Sequence, residues 1–277
     1  MQKGNEIATI DVAMVTLTTH GSTPMELALT TSNKVEITPS TETTDAVKNI
    51  VKGVLIAQKP AITTLTGNAI TMTDNVFNPQ LVKILQGGTI YYWQDAAKTT
   101  KGTTETGYGI AGYKPPVVGS NDKGEIFTLN LYSAIYNAAG VITGYEKIMY
   151  PNCQGQPVAF GSEDDTFRAP EYTINSAPDS GESPYELDYV STLPTLTTYS
   201  VTQTLTHVTS SFTENTVDAG SVLSATLSAA EGYTLDDPTI TMGGVNITSS
   251  VWDSATSKIT IPYVNANVVI TATATEE

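Results

Sequence analysis

Cysteine, arginine and histidine are almost missing from this 277-residue chain: Cys153 stands alone, Arg168 is the one arginine, and His20 and His207 are the two histidines. A single cysteine excludes an intrachain disulfide framework and a multi-cysteine metal site. The two histidines lie far apart in sequence and outside any metal-ligand spacing, so each reads as packed or solvent-exposed. Basic residues are few as well, 13 against 28 acidic ones, and the net charge of −15 argues against holding a nucleic-acid backbone. No apolar run approaches the roughly 20 residues that span a bilayer. The opening Met1-Gln2-Lys3-Gly4-Asn5-Glu6 lacks the apolar run of a signal peptide. The expectation is a protein made in a cytoplasm, without a membrane span, whose export is left to lysis or a dedicated machine.

Catalytic constellations are lacking too. Cys153 follows Tyr150-Pro151-Asn152 with no histidine nearby and reads as a buried structural thiol. Glu163-Asp164-Asp165 and Asp236-Asp237 have the oxygen ligands that calcium takes, but neither shows the D-x-D-x-D-G pattern, and solvated turns are the simpler reading. Gly107-Tyr108-Gly109-Ile110-Ala111-Gly112 loosely matches a dinucleotide fingerprint without the βα framework that would give it meaning. A glycosidase would need a carboxylate pair about 5–10 Å apart, and no pair is singled out. The expectation is no enzyme, no cofactor and no metal.

What the chain has in quantity is Thr, Ser, Val, Ile and Tyr, punctuated by Gly, Asn, Asp and Pro, the composition of a mainly β protein. Alternation predicts a hairpin over 26–37 with its turn at Ser32-Asn33, then an exposed polar loop over Thr38–Asp45. The stretch 46–59 is ambiguous between helix, strand and loop: Val47, Ile50, Val51, Val54 and Leu55 have helical spacing, while Gly53 and the β-branched content favour an extended segment over 53–59. A second hairpin is expected over 62–74, turning at Thr66-Gly67-Asn68. Asn78 as N-cap, Pro79 at the first helical position and Gly87-Gly88 as the stop predict a short helix. Its apolar face is Leu81, Val82 and Leu85, with Ile84 beside it.

Beyond it, 102–112 reads as loop and Phe127, Leu129 and Leu131 as a strong strand. Asn137–Gly140 is a turn from which 145–150 pairs back, and strands are expected at 158–160 and 172–177. Tyr185, Leu187 and Tyr189 alternate once more. Leu193-Pro194-Thr195 reads as a linker (193–198) between a domain over 1–192 and a second over 199–277. The second holds one basic residue, Lys258, against eight acidic ones. Its short strands at 199–205, 223–227, 240–242, 245–247, 259–261 and 268–272 are spaced as in a β-sandwich. Tyr199, Tyr233, Trp252 and Tyr263 are either a sugar-stacking face on that module or its core and rim packing.

Two stretches carry a family resemblance. Leu65-Thr66-Gly67-Asn68-Ala69-Ile70-Thr71-Met72-Thr73-Asp74-Asn75-Val76-Phe77-Asn78-Pro79 with Leu81–Gly88, and Phe167-Arg168-Ala169-Pro170-Glu171-Tyr172-Thr173-Ile174-Asn175-Ser176, resemble phage major tail proteins of the long, non-contractile type. In the second domain Tyr199-Ser200-Val201-Thr202, Thr216-Val217-Asp218-Ala219-Gly220, Glu231-Gly232-Tyr233-Thr234-Leu235, Thr241-Met242-Gly243-Gly244-Val245 and Lys258-Ile259-Thr260-Ile261-Pro262 resemble bacterial immunoglobulin-like repeats.

The resemblance implies a β-sandwich or barrel with one flanking helix (Pro79, Leu81, Val82, Leu85) for the first domain and an immunoglobulin-like sandwich for the second. It implies a virion protein whose copies close into hexameric rings and stack into a tube. DNA would pass through an acidic lumen without specific binding during ejection, and the second domain would be displayed outside, in weak contact with host-surface glycans. Tape-measure, tail-terminator and baseplate proteins are the implied partners. Ring stacking is expected to use Thr38–Lys59, with Thr38, Thr41, Thr44, Asp45, Lys48, Lys52 and Lys59 as contact residues. The competing expectation is a bacterial cell-surface or secreted adhesin built of two β modules.

Overall fold

The computed structural model describes residues 7–22, 24–95, 97–106, 108–161, 164–166 and 169–276. Gly107 of the glycine-rich stretch, Glu163 of the acidic triplet, and Phe167 and Arg168 lie outside the described residues.

The protein is mainly β. In chain order it forms β1 (Thr9–Thr19), β2 (Glu26–Leu29), β3 (Ser32–Thr44), β4 (Val47–Val51), β5 (Val54–Lys59) and β6 (Ile62–Asp74). Helix α1 (Pro79–Gln86) follows, then β7 (Thr89–Trp93), β8 (Lys101–Gly102) and β9 (Ile110–Lys114). Next come β10 (Phe127–Tyr136), β11 (Ile142–Gly155), β12 (Glu171–Ser176) and β13 (Glu186–Val190). The remainder is β14 (Thr198–Thr206), β15 (Val208–Ser210), β16 (Thr216–Asp218), β17 (Leu223–Ala229), β18 (Tyr233–Leu235), β19 (Thr239–Met242), β20 (Val245–Asn246), α2 (Thr248–Val251), β21 (Trp252–Asp253), β22 (Lys258–Ile261) and β23 (Val268–Glu276). Two compact units result: Met1–Gly88 with Pro115–Pro194, and Thr89–Lys114 with Thr195–Glu277.

The first unit is built on one sheet of order β2-β1-β10-β11-β12-β6-β3, with β13 also paired to β11. Alternation supplies its core: Val15 and Leu17 on β1, Phe127 and Leu129 on β10, Ile70 and Met72 on β6, Tyr172 and Ile174 on β12 are all fully buried. Strand β11 is long enough to take two partners on one edge, β12 at Cys153–Gly155 and β13 at Tyr145–Met149.

Helix α1 forms where the local signals put it. The Asn78 side chain accepts from the backbone N–H of Gln80 at 2.9 Å and of Leu81 at 3.2 Å, and Gly87, with φ of 81°, donates back to the Lys83 carbonyl at 2.8 Å. Leu81, Val82, Ile84 and Leu85 are buried. Asn78→Ala is expected to lower stability by about 1 kcal/mol, the usual cost of losing an N-cap, readable as a shift of the urea midpoint at unchanged slope.

Five local expectations are corrected. Residues 26–37 do not form a hairpin, because β2 pairs with β1 and β3 with β6. Thr38–Thr44 is not a loop but the outer half of β3, polar because water lies on both of its faces. Residues 62–74 are one strand: at Gly67 the chain bulges past Thr66 instead of turning, and a Cβ there would sit 2.2 Å from the Ser176 carbonyl oxygen. Residues 158–160 make no strand, since the Val158 N–H bonds the Gln86 side chain at 2.8 Å instead of a neighbouring strand. Part of the expected 102–112 loop is also paired, Ile110 and Gly112 lying on β9 opposite β7.

The second unit contains a sandwich. One sheet runs β16-β14-β23-β19-β20, with β18 also on β23, and the other runs β15-β17-β22-β21. The parallel pairing of β14 with β23 places β23 at the centre. Inward residues of both sheets meet in one core, Val268, Ile270 and Ile240 from the first facing Leu223, Leu227, Ile259 and Ile261 from the second. A small sheet of order β8-β7-β9 belongs to the same unit, with the Tyr92 and Tyr263 rings 6.4 Å apart.

Candidate functional site: an exposed apolar arm

The β3–β6 ladder begins buried and ends in water. From Asn68 to Asp74 strand β6 is buried or half-buried, whereas Ile62–Thr66 is exposed, as is the facing end of β3. Thr43 and Thr63 hydroxyls, 2.9 Å apart, tie the two outer ends together. Above them β4 and β5 form a separate two-stranded hairpin, closed by Lys52 (φ 49°) and Gly53 (φ 82°). Two successive positive φ angles between Val51 and Val54 are those of a type I′ turn, whose twist matches that of paired strands. The ambiguous stretch 46–59 is thus extended throughout, with Lys52-Gly53 as its turn.

This arm carries apolar side chains and hides none of them. Val47 is 65% exposed and Ile56 61%, and Ile50, Val51, Val54, Leu55, Ile62 and Leu65 are exposed as well. Every residue of β4 and β5 is exposed on both faces. An isolated two-stranded hairpin is at best marginally stable in water, and a contiguous uncovered apolar patch marks an interaction surface. Of the residues expected to make contacts, Thr38, Thr41, Thr44 and Asp45 lie on or just beyond outer β3, and Lys48, Lys52 and Lys59 on the hairpin; the structure brings all seven onto the arm.

Strand β13 is a second exposed element. Tyr185, just before it, and Leu187 and Tyr189 within it are 46%, 41% and 55% exposed. Among the described residues β13 pairs only with β11, so its other edge carries unpaired backbone groups. The sequence displayed this alternation without revealing that it would remain uncovered.

Tyr199, Tyr233 and Trp252 all pack against the sandwich core; Tyr233 also stacks on His207 with centroids 4.2 Å apart, and Tyr263 meets Tyr92. The Trp252 indole N–H donates to Asp237 Oδ1 at 3.0 Å. Trp252 also lines an open cleft of about 290 Å³ with Lys98, Tyr108, Asp253, Lys258 and Pro262. Lys98 and Tyr108 come from the 89–114 excursion, which no inspection of the C-terminal residues would have supplied.

The remaining singled-out residues have ordinary partners. Asp236 accepts from the Thr273 and Thr275 hydroxyls, Asp164 and Asp165 lie in an exposed turn, and His20 shares a 2.8 Å hydrogen bond with Thr128. Among the described residues no three His, Cys, Asp or Glu side chains are grouped to hold a metal ion, and no helix is long and apolar enough to cross a bilayer.

Cys153 is fully buried, and burial pushes its thiol up to about 12; burial does the same to Tyr150 beside it, also to about 12. Both groups therefore stay protonated in the native state at pH values where the unfolded chain ionises. Their contribution to stability is complete below pH 9 and is lost as pH rises from about 9 towards 12. Native protein at pH 8 is expected to leave a thiol reagent unconsumed while denatured protein consumes one equivalent, and the midpoint of urea unfolding is expected to fall steadily above pH 9.

No family model matches the chain, and no curated protein matches it. Among solved structures, a chain of the cryo-EM structure of the anti-feeding prophage baseplate, 6-fold symmetrised, is similar at 7% identity and a TM-score of 0.26, covering 68% of this chain and 93% of that one.

Proposed function

We propose that the protein is a structural subunit of a phage tail that assembles with copies of itself, as a tail-tube protein does. The observation that carries the reading is the arm: a β hairpin that projects at least six large apolar side chains into water and leaves its own fold nothing to gain from them. A surface of that kind in a soluble β protein is explained by a partner that covers it. Edge strands, a liability in a lone subunit, become paired when copies join. The charge also fits a conduit, since the first 194 residues hold −8 of the net charge and an acidic wall repels phosphate. In this reading rings are hexameric and stack, DNA passes without binding, and tape-measure, terminator and baseplate proteins cap the tube.

The test is negative-stain electron microscopy together with sedimentation of the purified protein over a concentration series. Tubes or stacked rings of constant width are the expected result. A species that stays monomeric at every concentration would overturn self-assembly and favour the second reading, a surface adhesin, for which the aromatic cleft beside Trp252 speaks. In that case quenching of Trp252 fluorescence by host cell-wall oligosaccharides is the measurement to make.

A further inference from the structure

The hairpin that tips the arm is basic in an acidic protein, whereas the base of the arm carries Glu42 and Asp45. Residues 46–60 hold Lys48, Lys52 and Lys59 and no acidic residue, although the whole chain is −15. The β13 segment is its opposite. Residues 178–190 hold Asp179, Glu182, Glu186 and Asp188, and no lysine or arginine occurs between Arg168 and Lys258. Each element also offers apolar surface to the other: the arm has uncovered aliphatic side chains, and β13 has half-exposed Leu187 and Tyr189, with Tyr185 against Tyr150 just before them, beside a free strand edge.

From this complementarity we infer that β13 is the acceptor for the arm of a second copy of this chain. The inference rests on the self-assembly reading and names its interface: the β4–β5 hairpin of one subunit lies along β13 of the next. Backbone groups of the free edge gain partners, as in strand addition generally, while the lysines meet Glu186, Asp188 and the acidic turn before them. Leu187 and Tyr189 stand on the same face of the sheet as their cross-strand neighbours Ile148 and Glu146, whereas Glu186 and Asp188 share the opposite face with Met149 and Lys147. Lys147 and Glu146 leave the local balance acidic. The hairpin likewise carries apolar groups on both faces, Ile50 and Leu55 on one and Val51 and Val54 on the other, so it can cover apolar surface and face charge at once. Donor and acceptor are different patches of one molecule. Such a contact is head-to-tail and repeats from copy to copy, closing into rings or running on as a filament.

The test uses two full-length charge reversals. One carries Lys48→Glu, Lys52→Glu and Lys59→Glu; the other carries Glu182→Lys, Glu186→Lys and Asp188→Lys. All six positions are exposed or half-exposed, so both variants are expected to fold, which circular dichroism and a melting curve check. Each alone is expected to associate at least tenfold more weakly than the parent at low salt. A one-to-one mixture is expected to recover assembly, because reversed arm then meets reversed acceptor in alternating order. Zero-length carbodiimide cross-links between arm lysines and Glu186 or Asp188, assigned to different molecules by mixing isotope-labelled and unlabelled chains, are the second expected result. If the arm reversal blocks assembly but the β13 reversal does not, the acceptor lies elsewhere and this inference falls while self-assembly stands. Cross-links confined within single chains overturn it too, showing the arm folded onto its own β13. Absence of association in the parent protein removes both claims together.

Discussion

Replacing residues 46–60 by a two-residue turn joining Asp45 to Ala61 is expected to give a folded protein that no longer associates. The fold should be indifferent to the change. All side chains of β4 and β5 are exposed, and among the described residues the two strands pair only with each other, so no core contact or neighbouring ladder is lost. The melting temperature is therefore expected to move by no more than about 2 °C, in line with a surface change of at most ~0.5 kcal/mol. Association is the opposite case. Fully burying one large aliphatic side chain contributes about 1.5–3 kcal/mol, and the hairpin brings six. Even half of that total is comparable with the roughly 4–15 kcal/mol that joining two bodies costs in lost freedom. Removing it should weaken assembly by more than about a thousandfold, equivalent to ~4 kcal/mol. Sedimentation of the variant and the parent at equal concentration decides the matter. Unchanged assembly by the shortened protein would dismiss the arm as an interface.

The largest expected loss of stability comes from one methyl group. A Cβ at Gly155 would lie 2.4 Å from Leu85 Cβ and 2.5 Å from Leu85 Cα, so no rotamer change relieves the clash. Gly124 approaches the same residue closely, its own Cβ position falling 2.1 Å from the Leu85 carbonyl oxygen. Helix α1 cannot yield without uncovering its buried face of Leu81, Val82 and Ile84. Gly155→Ala is expected to cost about 3 kcal/mol, the upper part of the usual range for overpacking, and to lower the melting temperature of the first unit by roughly 6–12 °C. Gly161→Ala is the control, since nothing lies within 4 Å of its Cβ position; it should melt with the parent. Equal melting of the two variants would show that the helix is free to lift off β11.

The elements readable in the sequence were those whose determinants are local. Asn78, Pro79 and Gly87 each act within one turn of the helix they bound; the Lys52-Gly53 turn is equally local, yet the helical spacing of Val47, Ile50, Val51, Val54 and Leu55 masks it in the sequence. Partner choice is not local, which is why 26–37 looked like a hairpin although Leu27 and Leu29 pair with β1 and Val35 and Ile37 pair with β6. Gly67 misled for a related reason. A glycine inside an alternating run signals either a turn or a close approach, and only the presence of Ser176, more than a hundred residues later, decides between them. Threonine-rich Thr38–Thr44 looked like loop because polarity suggests exposure, and a strand wetted on both faces is just as polar. The residues chosen for the contact surface lay close together in sequence, so their common location on the arm was within reach. Tyr185, Leu187 and Tyr189 showed their alternation plainly, yet whether a neighbour covers them is a property of the whole sheet. Nothing in the composition of Thr89–Lys114 hinted that it belongs with residues 195–277.

The central position of β23 has a consequence for the order of events during synthesis. Strands β14, β18 and β19 all pair with it, so the sandwich of the second unit cannot close before residue 276 is made. The sheet of Thr89–Lys114, which belongs to that unit, leaves the ribosome more than 150 residues earlier. At roughly 5–20 residues per second it waits about 8–30 s without its partner. The first unit has all of its strands by residue 190, so the arm is displayed on a finished scaffold while the second unit is still incomplete. On the proposed self-assembly, a nascent chain would be able to capture its neighbour before it is whole, and polysomes carrying this message are where premature pairing between copies would begin.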